Sequence, residues 1–93
     1  MDESLRALIA HRQTLLDRVR ALLIEKLGVG RAPDEIDPDA PLFGLGLALD
    51  SIDAIELVVN LEAAFGVRLE QERWMAAMRT LGTLVDTLIA EGA

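Results

Sequence analysis

Apolar residues at helical spacing are the feature that most limits the folds open to this chain. Between residues 5 and 27 they recur every three or four positions, which places them on one face of an α-helix. The same period returns in residues 54–65 and 81–89, whereas no stretch sustains the apolar–polar alternation of a half-buried strand. The sequence therefore predicts an all-α fold.

Glycine, proline and capping residues divide this pattern into elements. Residues 28–49 contain three prolines and four glycines without a helical period, so they are predicted to form a long loop. The apolar residues that could anchor this loop to the core are Ile36, Leu42, Phe43, Leu45 and Leu47. Gly28 and Gly66 are expected to end the helices before them. The predicted helices cover about residues 3–27, 51–65, 71–78 and 81–91. We predict one domain over residues 1–93, a small four-helix bundle with a short third helix.

Composition and charge exclude several classes of protein. The chain has no cysteine, and no apolar run approaches the ~18 residues that a membrane span needs. Residues 1–31 carry six basic and four acidic residues, whereas residues 32–93 carry three basic and twelve acidic ones. The acidic part would repel nucleic acid and attract a basic surface on a protein partner. We expect a cytoplasmic monomer with neither a signal peptide nor a membrane span.

The stretch "ALDSIDAIEL" marks the predicted start of the second helix. Asp50 is a good N-cap, and Asp53 can complete a reciprocal cap three residues later. Ser51 then occupies the first helical position, where free N–H groups and the positive end of the helix dipole suit a phosphate. Asp50 and Asp53 oppose such a charge unless a divalent cation or basic residues of a partner intervene.

Ser51 is poorly supported as a catalytic nucleophile. The only histidine is His11, on the predicted first helix, and no G-x-S-x-G turn surrounds the serine. The carboxylates follow no metal-loop spacing, so no metal site is predicted. Trp74, Met75 and Met78 are interpreted as core or core-edge residues rather than as a cofactor site.

The second helix carries two apolar stripes. The first, which we assign to the core, comprises Ala54, Leu57, Val58, Leu61 and Phe65. Ile52, Ile55 and Val59 form a second stripe rotated by roughly 130° from the first. The charged residues that flank this second stripe are Asp53, Glu56 and Glu62. Pattern alone leaves two interpretations open: either the second stripe is an exposed protein-binding patch, or the long loop folds over Ile52 and Ile55.

Residues 45–67, "LGLALDSIDAIELVVNLEAAFGV", resemble the second-helix region of acyl carrier proteins. The resemblance extends to the first helix in "RVRALLIEKLGV" (18–29), to the loop in "DEIDPDAPLF" (34–43) and to the last helix in "TLGTLVDTLI" (80–89). It covers about residues 15–90. Asp-Ser alone is a weak motif, but Asp-Ser within this whole order of helices and loop is a specific one.

The resemblance implies a carrier rather than an enzyme. A phosphopantetheinyl transferase would use Mg²⁺ to move 4′-phosphopantetheine from coenzyme A onto Ser51, and the thiol of that arm would carry acyl groups as thioesters. Acyl-transferring and chain-elongating enzymes of fatty-acid-like or polyketide-like biosynthesis would be the partners. Their predicted contacts are Asp50, Ile52, Asp53, Ile55, Glu56, Val59 and Glu62. The predicted acyl pocket consists of Leu57, Val58, Leu61, Leu69, Met78 and Leu84.

Some features depart from the family pattern. "GLGLALDS" has two extra residues between the loop glycine and Asp50. Ala63 and Ala64 stand where many fatty-acid carriers have acidic residues, so the acidic face has fewer charges. Residues 1–14 extend past the usual start of the family. These differences suggest a carrier dedicated to a particular pathway. The alternatives are a carrier of aminoacyl or peptidyl groups, and a helical interaction module in which Asp50–Ser51 is only a cap.

Overall fold

The computed structural model describes residues 2–43 and 50–93, with the backbone alone of Ser51. Its elements are α1 (Glu3–Leu27), a short 3₁₀ helix (Pro33–Glu35), α2 (Ser51–Phe65), α3 (Gln71–Ala77) and α4 (Leu81–Ala90). Across the described ranges the chain forms no strand beyond one isolated bridge, and the predicted all-α bundle is confirmed. Helices α3 and α4 each end one residue earlier than predicted.

Both predicted C-terminal glycines end their helices in the left-handed conformation. Gly28 has φ 70° and Gly66 has φ 65°, values at which a side chain would strain the backbone. Val67, which follows Gly66, is buried against the core. Two helix ends were therefore predicted from glycine placement alone.

Helix α1 extends past the bundle at its amino end. Its buried residues begin at Leu15, whereas Leu5, Leu8 and Ile9 remain about half exposed. Arg12 lies where the stripe leaves the core, and its Nε donates to Oδ1 of Asp86 on α4 at 3.0 Å. The helix is continuous, so its first turns are an extension of α1 and not a separate element.

The core consists of hydrophobic residues, and no charged or polar residue is buried in the part of the chain that the structure describes. Its side chains come from all four helices, from the long loop and from the short connections after α2 and α3. They are Leu15, Leu16, Val19, Leu23, Ile36, Leu42, Leu57, Leu61, Val67, Trp74, Ala77, Met78, Leu81, Leu84, Val85 and Leu88. Since each helix buries one face against this cluster, all four helices contribute to the stability of the bundle.

The long loop is attached to the start of α4. The N–H of Leu42 donates to the carbonyl of Arg79 at 3.2 Å, and the N–H of Gly82 donates to the carbonyl of Pro38 at 2.8 Å. A Cβ at Gly82 would lie 3.2 Å from that carbonyl oxygen, so the close approach favours glycine. The predicted loop anchors Ile36 and Leu42 are buried.

Part of the predicted loop falls on positions 44–49, outside the described residues. The two extra residues ahead of Asp50, and the suggested anchors Leu45 and Leu47, lie there. Among the helices that the structure does describe, none combines the length and hydropathy needed to cross a membrane.

Candidate functional site

The start of α2 has the reciprocal cap that the sequence predicts. The N–H of Asp53 donates to Oδ1 of Asp50 at 2.9 Å, and the N–H of Asp50 donates to Oδ2 of Asp53 at 3.0 Å. Ser51 is the first residue of the helix, one position after this cap. Asp50 therefore caps α2, while the N–H groups of the first turn that it leaves unpaired create a positive potential beside Ser51.

Removing the cap should weaken the helix start measurably. We expect Asp50→Ala to lower the free energy of unfolding by about 1 kcal/mol, because one N–H of the first turn loses its acceptor. Asp39→Ala removes the same charge from an exposed loop position and should change stability much less. Urea unfolding of both variants measures the difference in the free energy of unfolding. Equal losses in the two variants would show that the removed charge, and not the removed cap, lowers the stability.

The second apolar stripe of α2 faces solvent. Ile52 is 67% exposed, Ile55 66% and Val59 59%. Segment 28–43 packs elsewhere, with Ile36 and Leu42 in the core, so the described part of the loop leaves the stripe open. We call Ile52, Ile55 and Val59 the α2 patch. Its carboxylate neighbours are Asp53 and Glu62, both half-buried, and the exposed Glu56.

A groove of about 660 Å³ opens between α2 and α3. Its lining residues are Ala54, Ile55, Val58, Val59, Glu62, Leu69, Gln71, Trp74, Met75 and Met78. Three of the predicted pocket residues, Val58, Leu69 and Met78, are among them. The other three, Leu57, Leu61 and Leu84, lie in the core with no exposed surface. The groove therefore reaches only the outer layer of the pocket that the resemblance implies.

Sequence reasoning did not place Trp74 and Met75 at this groove. Trp74 is 4% exposed, as a core residue should be, yet it lines the groove. Met75 is 68% exposed, so its predicted place in the core or at its edge is wrong. The helical spacing carried this signal, since Met78, the residue just after α3, lies on the same side as Trp74, whereas Met75 lies about 100° away from Trp74.

The chemistry of these residues fits a phosphate-linked arm with an apolar cargo. The first turn of α2 offers N–H groups to a phosphate, and later turns of the same helix line an almost wholly apolar groove. Within the described ranges no group of three or more acidic or histidine side chains is placed to hold a metal. His11, the single histidine, is exposed on α1 with Nε2 2.6 Å from the carbonyl oxygen of Ala93.

Comparisons with known proteins agree on one family. Residues 17–88 match the family described as "Phosphopantetheine attachment site". The chain is 34% identical over 74 residues to acyl carrier protein 2 of Ralstonia nicotianae, covering 80% of this chain and 86% of that protein. It is also 34% identical over 76 residues to the acyl carrier protein of Thermosynechococcus vestitus, covering 82% and 89%.

The fold has a counterpart among solved structures. The acyl carrier protein from Enterococcus faecalis superposes with a TM-score of 0.72 at 23% identity, covering 87% of this chain and 98% of that one. This likeness establishes the helical bundle, while the family assignment rests on the sequence matches.

A four-helix bundle with a serine at the start of its second helix and an apolar groove beside it defines a class of carrier proteins. The chain belongs to the acyl carrier protein family. It carries 4′-phosphopantetheine covalently and is a carrier, not an enzyme. Membership also implies a transferase that attaches this group and synthesis enzymes that exchange its cargo.

Proposed function

We propose that this protein carries acyl intermediates of fatty-acid-like or polyketide-like biosynthesis on an arm attached to Ser51. The observation that supports this site is the position of Ser51 at the first turn of α2, immediately after the Asp50 cap. The relatives from Ralstonia and Thermosynechococcus are named acyl carrier proteins, which favours acyl over aminoacyl cargo. When attached, the arm supplies a thiol that holds cargo as a thioester.

The residues around Ser51 act by positioning. The reciprocal bonds between Asp50 and Asp53 hold the first turn of α2, and the dipole of the helix partly compensates a phosphate there. The two carboxylates themselves repel a phosphate. A transferase that brings Mg²⁺ or basic side chains to this end of α2 would offset that repulsion.

The α2 patch and its carboxylates form the proposed docking surface for partner enzymes. Exposed isoleucines provide apolar contact, and Glu56 and Glu62 attract a basic rim. Asp50 and Asp53 extend the acidic border to the attachment site. We further propose that the protein is a single-domain monomer that meets these enzymes in the cytoplasm.

Mass spectrometry tests the attachment site. Incubating the protein with coenzyme A, Mg²⁺ and a broad-specificity phosphopantetheinyl transferase should add the mass of one phosphopantetheine group. Ser51→Ala should add none, whereas Ser4→Ala, which removes the only other serine, should be modified like the unchanged protein. Modification of Ser51→Ala would show that another residue carries the arm. No modification of the unchanged protein by a competent transferase would contradict the proposal and favour an interaction module.

The same variant must remain folded for this test to count. We expect Ser51→Ala to cost at most about 1 kcal/mol of unfolding free energy, because Asp50 supplies the cap. Thermal unfolding followed by circular dichroism measures this cost. A variant that unfolds would show that Ser51 has a structural role that the proposal does not include.

A further inference from the structure

The amino-terminal part of α1 presents an apolar face that the described residues leave half exposed. Residues 3–14, which we call the α1 extension, precede the first buried residue of this helix. Leu5, Leu8 and Ile9 are between 47% and 59% exposed. These side chains stand at positions i, i+3 and i+4, so they share one face of the helix. The family match begins at residue 17, which leaves this face outside the matched region.

Contacts with α4 hold the base of the α1 extension against the bundle. Nε of Arg12 donates to Oδ1 of Asp86 at 3.0 Å, and Nε2 of His11 lies 2.6 Å from the carbonyl oxygen of Ala93. The extension is thus helical and oriented before it meets a partner. Binding by a preformed helix loses less conformational entropy than binding by a segment that must first fold. The face is therefore suited to recognition as a helix.

The charges around this face differ from those around the α2 patch. Arg6 is exposed about 60° from Ile9 around the helix, and its guanidinium forms no ion pair with any residue in 2–43 or 50–93. Oδ1 of Asp2 accepts the N–H of Ser4 at 3.1 Å, and Glu3 lies on the opposite side of the helix. A partner with a basic rim, which suits the α2 patch, would meet Arg6 with a like charge.

The size and charge of the face favour one kind of occupant. Three half-exposed side chains supply only a small part of the ~800 Å² per partner that a stable dimer buries, so a second copy is a poor fit. Membrane surfaces attract helices rich in basic residues, whereas residues 2–14 hold two acidic and two basic ones. An apolar groove in another protein needs only a short helical face with anchors at i, i+3 and i+4.

We propose that the α1 extension is a second docking surface, which seats its apolar face in a helix-binding groove of a partner protein. Carboxylates beside that groove would pair with Arg6. The partner is thus distinct from the enzymes with basic surfaces that are proposed to dock on the α2 patch. This inference goes beyond the proposed function, since the contact requires no group on Ser51.

The place of the extension in the fold gives this contact a use. One turn after the extension, the guanidinium of Arg18 lies 4.4 Å from the ring centroid of Phe65, at the end of α2. Ser51 is at the other end of this 15-residue helix, roughly 20 Å from Phe65. A partner on the extension would therefore hold the carrier while enzymes reach Ser51.

Photo-crosslinking identifies the partner. The photoreactive residue p-benzoylphenylalanine is placed at Leu8 of the full chain, or at Glu3 on the opposite side as the control. Each form is irradiated in a lysate of the organism that makes the protein. Mass spectrometry identifies the protein that is joined to the Leu8 form and absent from the Glu3 form, and that protein is then purified. We expect one such protein, different from the phosphopantetheinyl transferase.

Titration calorimetry with the purified partner tests the contacts. Leu8→Glu should weaken binding roughly tenfold, because a charge replaces a leucine that the groove would bury. Arg6→Glu should weaken binding roughly threefold at low salt and less at high salt, because salt screens a charge at the rim. Ile52→Glu, the control on the α2 patch, should bind like the unchanged protein. Phosphopantetheine transfer should proceed in the complex at close to the rate for the free carrier.

The proposal is overturned if no protein is captured from Leu8, or if the captured one binds Leu8→Glu and Arg6→Glu as tightly as the unchanged protein. Capture of a second copy, or sedimentation with phosphatidylglycerol vesicles that Leu8→Glu abolishes, would assign the face to those occupants instead. Weak binding of Ile52→Glu, or blocked transfer in the complex, would contradict a separate surface. If Leu8→Glu does not fold by circular dichroism, Arg6→Glu decides. The binding measurements need no phosphopantetheine, so a failure of the proposed function is distinguished by the transferase assay.

Discussion

Exchanging Ile52 for glutamate should lower kcat/KM for phosphopantetheine transfer by roughly 30-fold or more while leaving the fold intact. Ile52 is 67% exposed next to Ser51, the proposed attachment residue, and does not line the groove. As a central apolar contact of the proposed docking surface it should act as a hot spot, which typically contributes at least ~2 kcal/mol to association. Glutamate removes that contact and would bring a carboxylate into the interface. The rate of phosphopantetheine transfer is followed by mass spectrometry, with the carrier protein at a limiting concentration.

Ile9→Glu is the matched control for this prediction. Ile9 is 52% exposed on the extension of α1, so the same substitution adds the same charge at a similarly accessible apolar position. Transfer to this variant should proceed at close to the unchanged rate. If both variants slow the reaction equally, net charge is responsible and the α2 patch is not the docking surface for that enzyme.

Leu61→Ala should lower the free energy of unfolding by about 2–5 kcal/mol, the largest stability effect that we predict. Leu61 has no exposed surface and packs among side chains of the bundle core. Truncation removes buried apolar area and leaves a cavity that a closely packed core fills only partly. In a domain of this size the melting temperature should fall by at least roughly 8 °C, measured by circular dichroism.

Leu8→Ala makes the identical chemical change on the exposed extension of α1. Leu8 is 59% exposed, so we expect a change within about 0.5 kcal/mol. A loss as large as that of Leu61→Ala would mean that the extension is buried in solution, against another part of the chain or a second copy. Either case would contradict the exposed extension, and burial against a second copy would also contradict the proposed monomer.

Much of the helical framework was predictable because it depends on local chemistry. Gly28 and Gly66 end helices because glycine adopts φ near +65° without strain. A glycine that directly follows a helical apolar pattern therefore predicts the end of that helix. The Asp50–Asp53 cap follows from a three-residue spacing that brings each carboxylate to the other's N–H. The position of Ser51 in the first turn of α2 follows from that cap.

The surroundings of that serine were less predictable, because they depend on how distant segments pack. Periodicity identified two apolar stripes on α2 but left open whether the loop covers the second. In the structure the described part of the loop does not cover the second stripe, because its residues Ile36 and Leu42 are buried in the core. Met75 was likewise assigned to the core or its edge, although the helical spacing places it about 100° from the buried Trp74.

The sequence by itself determined the all-α class, the helix boundaries to within one residue, and the serine at the head of α2. These depend on spacing, caps and turn residues, whose effects extend only a few positions along the chain. Only the tertiary structure decided which apolar side chains remain exposed, where the groove opens, and how far α1 extends past the core. Burial is a property of the packed bundle, in which residues far apart in sequence compete for the same limited interior.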